Sequence, residues 1–374
     1  MVRFLHTADW QLGMTRHFLG PDAQPRFSAA RVEAIGALGA LATAERCGFV
    51  VVCGDVFETN HVERAVVVRA LDAMAATPGV TFYLLPGNHD PLDAASVFRS
   101  LTFVQHQPDN VIVLDGSSPI EVAPGVELVA APWLTKRPLA DLVAEALAHC
   151  PADGTIRIAV GHGAVDERSP STSDPALIST AGLAAAVADG RVHYVALGDR
   201  HSTTSVGRTG RVWYSGAPEP TDFRETEPGN ALVVEVGTDA VSVEPHRVGR
   251  WRFLRHTAHL TGPADIDSLD RFLGSLADKS RTIVRLALIG QLSLAQRARL
   301  DDVLAHHEDL LASLDAPERR SELVVLPDGD DLADLELAGF ARQAVEDLRL
   351  EAAGGAATAG DALALLHRLA RGAA

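Results

Sequence analysis

Apolar residues fall along the chain in two rhythms. Short β-rich runs, each closed by a small polar cluster, alternate with longer stretches in which apolar residues return every three to four positions. Arg3-Phe4-Leu5-His6-Thr7-Ala8 runs into Asp9-Trp10-Gln11, and Phe49-Val50-Val51-Val52-Cys53 into Gly54-Asp55. Val80-Thr81-Phe82-Tyr83-Leu84-Leu85 is stopped by Pro86-Gly87 and followed by Asn88-His89-Asp90. Ile156-Arg157-Ile158-Ala159-Val160-Gly161 ends at His162, and Tyr194-Val195-Ala196-Leu197-Gly198 at Asp199-Arg200-His201. Helical spacing over 27–41, with Ser28 and Arg31 interposed, and over 58–76 separates the first three runs, which predicts parallel strands joined by right-handed crossovers.

Beyond Asp90, residues 93–101 read as a helix, 111–114 and 127–131 as strands of a second sheet, and 139–148 as a helix. A polar loop at 166–175 and a helical stretch at 177–187 precede the last polar-ended run. Residues 231–236 and 241–245 alternate around Gly237-Thr238-Asp239, a hairpin expected to complete the second sheet. The first domain is expected to span 1–250. Strands at 253–260, 282–288 and 323–326, with helices at 266–277 and 295–304, predict a small α+β domain over 251–328. In the tail, 329–374, Leu332, Leu335, Phe340, Val345 and Leu348 share one helix face and Leu363, Leu366 and Leu369 another, with Gly354-Gly355 between. Two such amphipathic helices either pack on the small domain or dock on a partner.

The chain has 374 residues, 47% of them apolar, ample for a large domain and a smaller one. No apolar run is long enough to span a membrane. A strand pattern starts at once, without a cleavable leader, which argues for a cytoplasmic protein. Cys47, Cys53 and Cys150 never form a C-x-x-C and read as small buried hydrophobes. A formal net charge of −16 argues against a protein that coats nucleic acid, since such affinity comes from neutralising phosphates. Nucleic-acid binding would have to be local, through bound cations and arginines beside the motifs, Arg16, Arg26, Arg200, Arg208, Arg211 and Arg224.

The polar clusters carry the chemistry. Carboxylate, amide and imidazole groups without thiolates suit hard or borderline divalent ions, Mn²⁺ first and Mg²⁺ second, better than a structural zinc. The five strand ends, with their G-D, G-N-H-D and G-D-x-H segments, resemble the calcineurin-like metallophosphoesterases. The stretches Asp9-Trp10-Gln11-Leu12-Gly13 and Gly54-Asp55-Val56-Phe57-Glu58 look like the SbcD branch, nuclease components of double-strand-break repair complexes. The resemblance implies an α/β fold in which two sheets form a sandwich flanked by helices, with a smaller α+β capping domain and C-terminal helices.

It further implies two metal ions, the first held by Asp9, Gln11, Asp55 and His201 and the second by Asp55, Asn88, His162 and Asp199. Asp55 would bridge them. His89, held by Asp90, would stabilise the transition state or protonate the leaving oxygen. Arg16, His17 and Arg200 are candidate substrate contacts. The partners implied are DNA, an SbcC-like SMC-type ATPase bound through the C-terminal helices, and a second copy of the chain, in a cytoplasmic, nucleoid-associated complex. Gln11 and Asp199 stand where the family pattern has histidines, so the ligation is either retuned or weakened. Three functions remain open: a metal-dependent DNA nuclease, a phosphodiesterase for nucleotides or small molecules, and a catalytically weakened DNA-end-binding scaffold.

Overall fold

The computed structural model describes residues 1–169, 174–317, 321–325, 340–354 and a few positions between 356 and 366. The chain divides into two compact units, one of Met1–Arg16 with Gln24–Trp251, the other of His17–Ala23 with Arg252–Ala374.

The first unit contains, in order, β1 (Val2–Thr7), α1 (Ala23–Ala44), β2 (Phe49–Cys53), α2 (Arg64–Ala75), β3 (Thr81–Leu85), α3 (Leu101–His106), β4 (Val111–Val113), β5 (Ile120–Ala123), β6 (Val126–Ala130), α4 (Leu142–Leu147), β7 (Ile156–His162), α5 (Thr180–Ala188), β8 (Tyr194–Gly198), β9 (Thr204–Ser205), β10 (Val212–Tyr214), β11 (Asn230–Val236) and β12 (Val241–Arg247). They build two six-stranded sheets, ordered β12-β11-β1-β2-β3-β4 and β5-β6-β7-β8-β10-β9. β1 to β4 run parallel, as do β6, β7, β8 and β10. β2 and β8 are buried at every position, the continuous apolar run that a parallel strand covered on both faces requires.

Because side chains alternate across a strand, one sequence serves two cores. Phe4, Phe49, Val51, Tyr83 and Leu85 face Ile158, Val160, Tyr194 and Ala196 between the sheets, with Cys53 among them. Phe4 stacks on Phe49 at 5.2 Å and meets the edge of Tyr194 at 5.7 Å. On the outer face of the first sheet, Leu5, Val50, Val52 and Phe82 pack with Leu38 of α1, Leu71 of α2 and Cys47. On that of the second, Val129, Ala159 and Val195 pack with Val143 and Leu147 of α4, Leu183 of α5 and Cys150. The layers are therefore helix, sheet, sheet, helix. All three cysteines are free and buried.

Two strand assignments differ from the sequence expectation. The hairpin β11–β12 joins the first sheet, with β11 antiparallel to β1, instead of completing the second. β4 also belongs to the first sheet, beside β3, and not to the second. Residues 93–101 form turns and one 3₁₀ turn at Val97–Arg99 before α3 begins, and α2 starts at Arg64, after 58–63 have turned beneath the site.

In the second unit, β13 (Arg252–Leu260), α6 (Pro263–Ser275), β14 (Thr282–Leu292), α7 (Leu294–Glu308), β15 (Ser313–Asp315), β16 (Glu322–Val325) and α8 (Phe340–Ala353) form a parallel sheet centred on β14. Ile266, Leu269 and Leu273 of α6 and Leu300 of α7 close its core. Ser293 and Gln296 form a capping box that starts α7. Val345 of α8 and Leu363 are buried with Leu294, so of the two fates open to the tail, these side chains pack within the chain. Leu332, Leu335 and Leu369 lie outside the described residues. Among the described residues no helix is long and apolar enough to cross a membrane.

Candidate metal centre

Five strands, β1, β2 and β3 of one sheet and β7 and β8 of the other, end at the same edge of the sandwich. The loops after β1 and β2 keep pairing beyond their strands. Asp9 N–H donates to the Gly54 carbonyl (3.1 Å) and Gln11 N–H to the Asp55 carbonyl (2.9 Å), which sets the Asp9 and Asp55 side chains beside each other. Both are buried. Of six non-glycine residues at positive φ among the described residues, four are Asp9, Gln11, Asp55 and Asp199. Such backbone strain collects where a site dictates side-chain direction and the surrounding structure holds it.

Two glycines permit the approach of the loops. A Cβ on Gly54 (φ +88°) would lie 2.1 Å from His162 Nδ1, and one on Gly87 2.2 Å from Asp55 Oδ1. With that space free, His162 Nδ1 donates to the Cys53 carbonyl (2.8 Å), which turns the Nε2 lone pair inward. Nε2 lies 2.7 Å from Asn88 Oδ1, 3.4 Å from Asp55 Oδ1 and 3.9 Å from Asp199 Oδ1. Asp9, Asp55 and His162 each offer one ligand atom, all within 4.8 Å of one another. Asp199 also contributes its backbone N–H, donated to Asp9 Oδ1 at 3.0 Å.

The second imidazole is held differently. His201 Nδ1 lies 3.0 Å from Glu225 Oε1 and 2.7 Å from Thr221 Oγ1, while its Nε2 meets Gln11 Nε2 at 3.2 Å. The Gln11 Oε1 atom is buried and has no hydrogen-bond partner among the described residues. His89 is oriented by Glu58, not by Asp90: its Nδ1 donates to the Glu58 carbonyl at 2.9 Å, leaving Nε2 4.0 Å from Asp55 Oδ2. The fully buried Asp90 carboxylate accepts Gly87 N–H (2.7 Å) and Phe57 N–H (2.9 Å), so it ties the third loop to the second. An acid next to a histidine in sequence points away from it here because backbone donors claim both its oxygens.

Of the candidate substrate contacts, Arg16 donates Nε and Nη2 to the Thr221 carbonyl (2.9 and 2.6 Å), and Arg200 donates Nε to Thr204 Oγ1 (3.0 Å). His17 is exposed and belongs to the other unit. Three residues at the site are not marked out by the sequence. Glu225 sits in a charged stretch, Glu58 closes a motif whose evident acid is Asp55, and Arg31 reads as a polar interruption of a helix face.

The electrostatics are those of too much negative charge in too little water. Burial lifts the Asp9 carboxyl to about 7, and burial beside Asp55 does the same for Asp90. Burial alone would lower His162, but Asp55, Asp9 and Asp199 outweigh it and raise the imidazole to about 9. His201 is raised too, its burial overcome by the Glu225 hydrogen bond. Such a cluster retains protons until a cation replaces them. The donors fit a divalent ion: oxygens dominate, imidazoles supplement them, and no thiolate takes part. The bare Gln11 Oε1 supports this, since an unpaired buried oxygen costs about 1–3 kcal/mol and a cation relieves it. Asn88 Oδ1 faces only acceptors; turning the amide would let its nitrogen donate to His162 Nε2 (2.7 Å) and Asp55 (3.3 Å), whereas a cation favours the oxygen inward.

A two-sheet α/β sandwich with carboxylate, amide and imidazole donors gathered at its strand ends defines a metal-dependent phosphoesterase. The family model for calcineurin-like phosphoesterases matches residues 2–203, and the chain belongs to that family. The SbcD component of the SbcCD nuclease of Rhodobacter capsulatus is 27% identical to it over 268 residues, 60% of this chain and 64% of that protein. The chain thus spans less than two thirds of that relative's length. Among solved structures, a Thermus thermophilus protein shares 9% identity and a TM-score of 0.42 over 66% of this chain and 99% of its own. A dimetal phosphatase from Danio rerio shares 13% and 0.38 over 65% and 98%.

Proposed function

We propose that the chain is a metal-dependent DNA nuclease of the SbcD kind, cleaving duplex ends exonucleolytically and single strands endonucleolytically. It would act with an SMC-type ATPase bound through the C-terminal helices, as a pair of chains, in the cytoplasm and near the nucleoid. Residues 1–250 would form the nuclease domain, 251–328 the cap and 329–374 the partner-binding segment. The observation that carries the reading is the convergence of Asp9, Asp55 and His162 on one point from three strands. The likeness to a nuclease component supports DNA as substrate.

In this reading Asp9, Gln11, Asp55 and His201 hold one Mn²⁺ or Mg²⁺, and Asp55, Asn88, His162 and Asp199 the other. Such ions, when bound, lower the pKa of water and neutralise charge on the phosphoryl oxygens. The chain's own residues do the rest. Asp55 would serve both halves of the donor set. The Glu58 carbonyl occupies His89 Nδ1–H, so only Nε2 is left to meet the substrate, where it would give a proton to the leaving oxygen. Asp90 holds the Gly87–His89 backbone against the second loop, and the Asp199 N–H aims Asp9.

A gel assay on linear duplex and hairpin DNA with Mn²⁺, run beside a chromogenic phosphodiester, tests the reading. Cleaved DNA supports it. Turnover of the chromogenic ester with DNA intact favours the small-molecule phosphodiesterase. No turnover with any divalent ion, together with DNA binding unchanged by Asp55→Ala, favours the scaffold.

A further inference from the structure

Arg31, on α1, is fully buried, and its donors reach the two loops that carry Gln11 and frame His201. Nη1 donates to the Trp10 carbonyl (3.0 Å), in the peptide stretch between Asp9 and Gln11. Nη2 donates to the Pro220 carbonyl (3.0 Å) and lies 3.4 Å from Met14 Sδ. Phe27, one turn earlier, lies under the guanidinium at 4.6 Å. The residue after Pro220 is Thr221, whose hydroxyl and N–H bond Glu225, the carboxylate on His201. One side chain thereby spans the carbonyls of a Gln11 neighbour and a His201 neighbour.

A buried cation is a costly way to fill a core. An apolar side chain of similar volume is often as stabilising or more so, and Arg31 Nε has no hydrogen-bond partner among the described residues. Glu219, Glu225 and Glu58 supply compensating field, and burial still brings the guanidinium down to about 10, so it stays charged. What an arginine offers here that a methionine does not is a rigid fork of donors set to two carbonyls.

We infer that Arg31 is a positioning residue that fixes the distance between Gln11 and His201 and thereby sets the affinity of the ion they would share with Asp9 and Asp55. The inference rests on the metal-centre reading. Arg157 provides the comparison. It is also buried, but it starts β7 at the opposite end from His162 and bonds Glu127 (2.9 Å), Asp153 (3.0 Å) and the Pro151 carbonyl.

The test is Mn²⁺ binding to the full chain, with ion count and affinity read by titration calorimetry and by the loss of free-Mn²⁺ resonance. In Arg31→Met the weaker of two ions is expected to lose about tenfold or more in affinity, the range typical of groups that orient a ligand, while the tighter ion is retained. Arg31→Lys, which keeps the charge and a single donor head, is expected to lose less and serves if the methionine variant does not fold. Arg157→Met should leave both affinities within about twofold of wild type while lowering the melting temperature. Wild-type affinities in Arg31→Met, or equal losses in the Arg31 and Arg157 variants, overturn the inference. A wild-type chain that takes up no Mn²⁺ overturns the metal-centre reading itself.

Discussion

The donors at Asp55, Asn88 and His162 and those at Gln11 and His201 are held by different means. His162 is clamped through its far nitrogen by a carbonyl of a central strand, and its near nitrogen is left facing acceptors. His201 is clamped by a side chain, Glu225, and its near nitrogen is already engaged by the Gln11 amide. The first group is preorganised by backbone, through the Cys53 carbonyl on His162 and the His89 N–H on Asp55. His162 Nε2 already has a ligand oxygen beside it, Asn88 Oδ1 at 2.7 Å, whereas His201 Nε2 meets the Gln11 amide nitrogen at 3.2 Å, which must turn away before a cation enters. Similar residue types at similar strand ends therefore differ in readiness, and the structure predicts unequal affinities within one centre.

Asp55→Ala should erase that inequality by removing the group proposed to serve both sets. Turnover with Mn²⁺ is expected to fall by more than about 100-fold, beyond the usual cost of an outer partner. Turnover within tenfold of wild type would mean that Asp55 is not shared. Gln11→His tests the asymmetry from the other side: an imidazole ligates better than an amide oxygen, and the weaker ion should bind about tenfold tighter by calorimetry. Unchanged binding would remove Gln11 from the ligand set. Glu225→Gln keeps an acceptor for His201 but removes its charge, and a loss of less than about tenfold, confined to the weaker ion, is expected. A loss at both ions would show that the two groups are not independent.

The smallest effect on the centre is expected from its common floor. His6 accepts from Tyr194 Oη (3.0 Å) and donates to the Leu197 carbonyl (3.1 Å), linking the two sheets beneath both groups of donors. Burial pulls its imidazole from 6.5 down to about 3. The unfolded chain then takes up a proton that the folded one refuses, so His6 keeps its full contribution above pH 6.5 and loses it as pH falls towards 3. The slope is about 1.4 kcal/mol per pH unit. Urea midpoints between pH 7 and 5 should fall more steeply in wild type than in His6→Gln, with the ratio of the two metal affinities preserved. Parallel curves would show that His6 is charged or exposed in the native state.

The polar strand ends were legible in the sequence because chemistry confined to loops leaves a local trace: an apolar run, a glycine, then donors. Asp55, Asn88 and His162 follow that pattern, Asp9 follows its run through Ala8 without the glycine, and all four meet. Which sheet a strand joins leaves no such trace. β11 is a continuous apolar run buried on both faces and β12 alternates as a half-covered strand does, patterns that suit either sheet, and the choice of β1 as partner is decided by packing some two hundred residues away in sequence. Arg31, Glu58 and Glu225 escape a sequence reading for a related reason. Each acts through a carbonyl or a neighbouring side chain, and a single polar residue on a helix or in a loop reads as solvated until the fold closes over it. The pairing of His89 with Asp90 failed because adjacency in sequence says nothing about which backbone donors lie nearer.

The three thiols are distributed one to a layer: Cys47 beneath the helices of the first sheet, Cys53 between the sheets, and Cys150 beneath those of the second. Burial holds all of them in the unreactive protonated form, Cys47 at about 11, with Cys53 pushed well above its ordinary value and Cys150 raised as well. A disulfide reagent can therefore modify each only when its own layer breathes. Peptide-resolved rates of labelling in native buffer would time the opening of each stratum separately, giving the molecule three built-in clocks without any engineered probe.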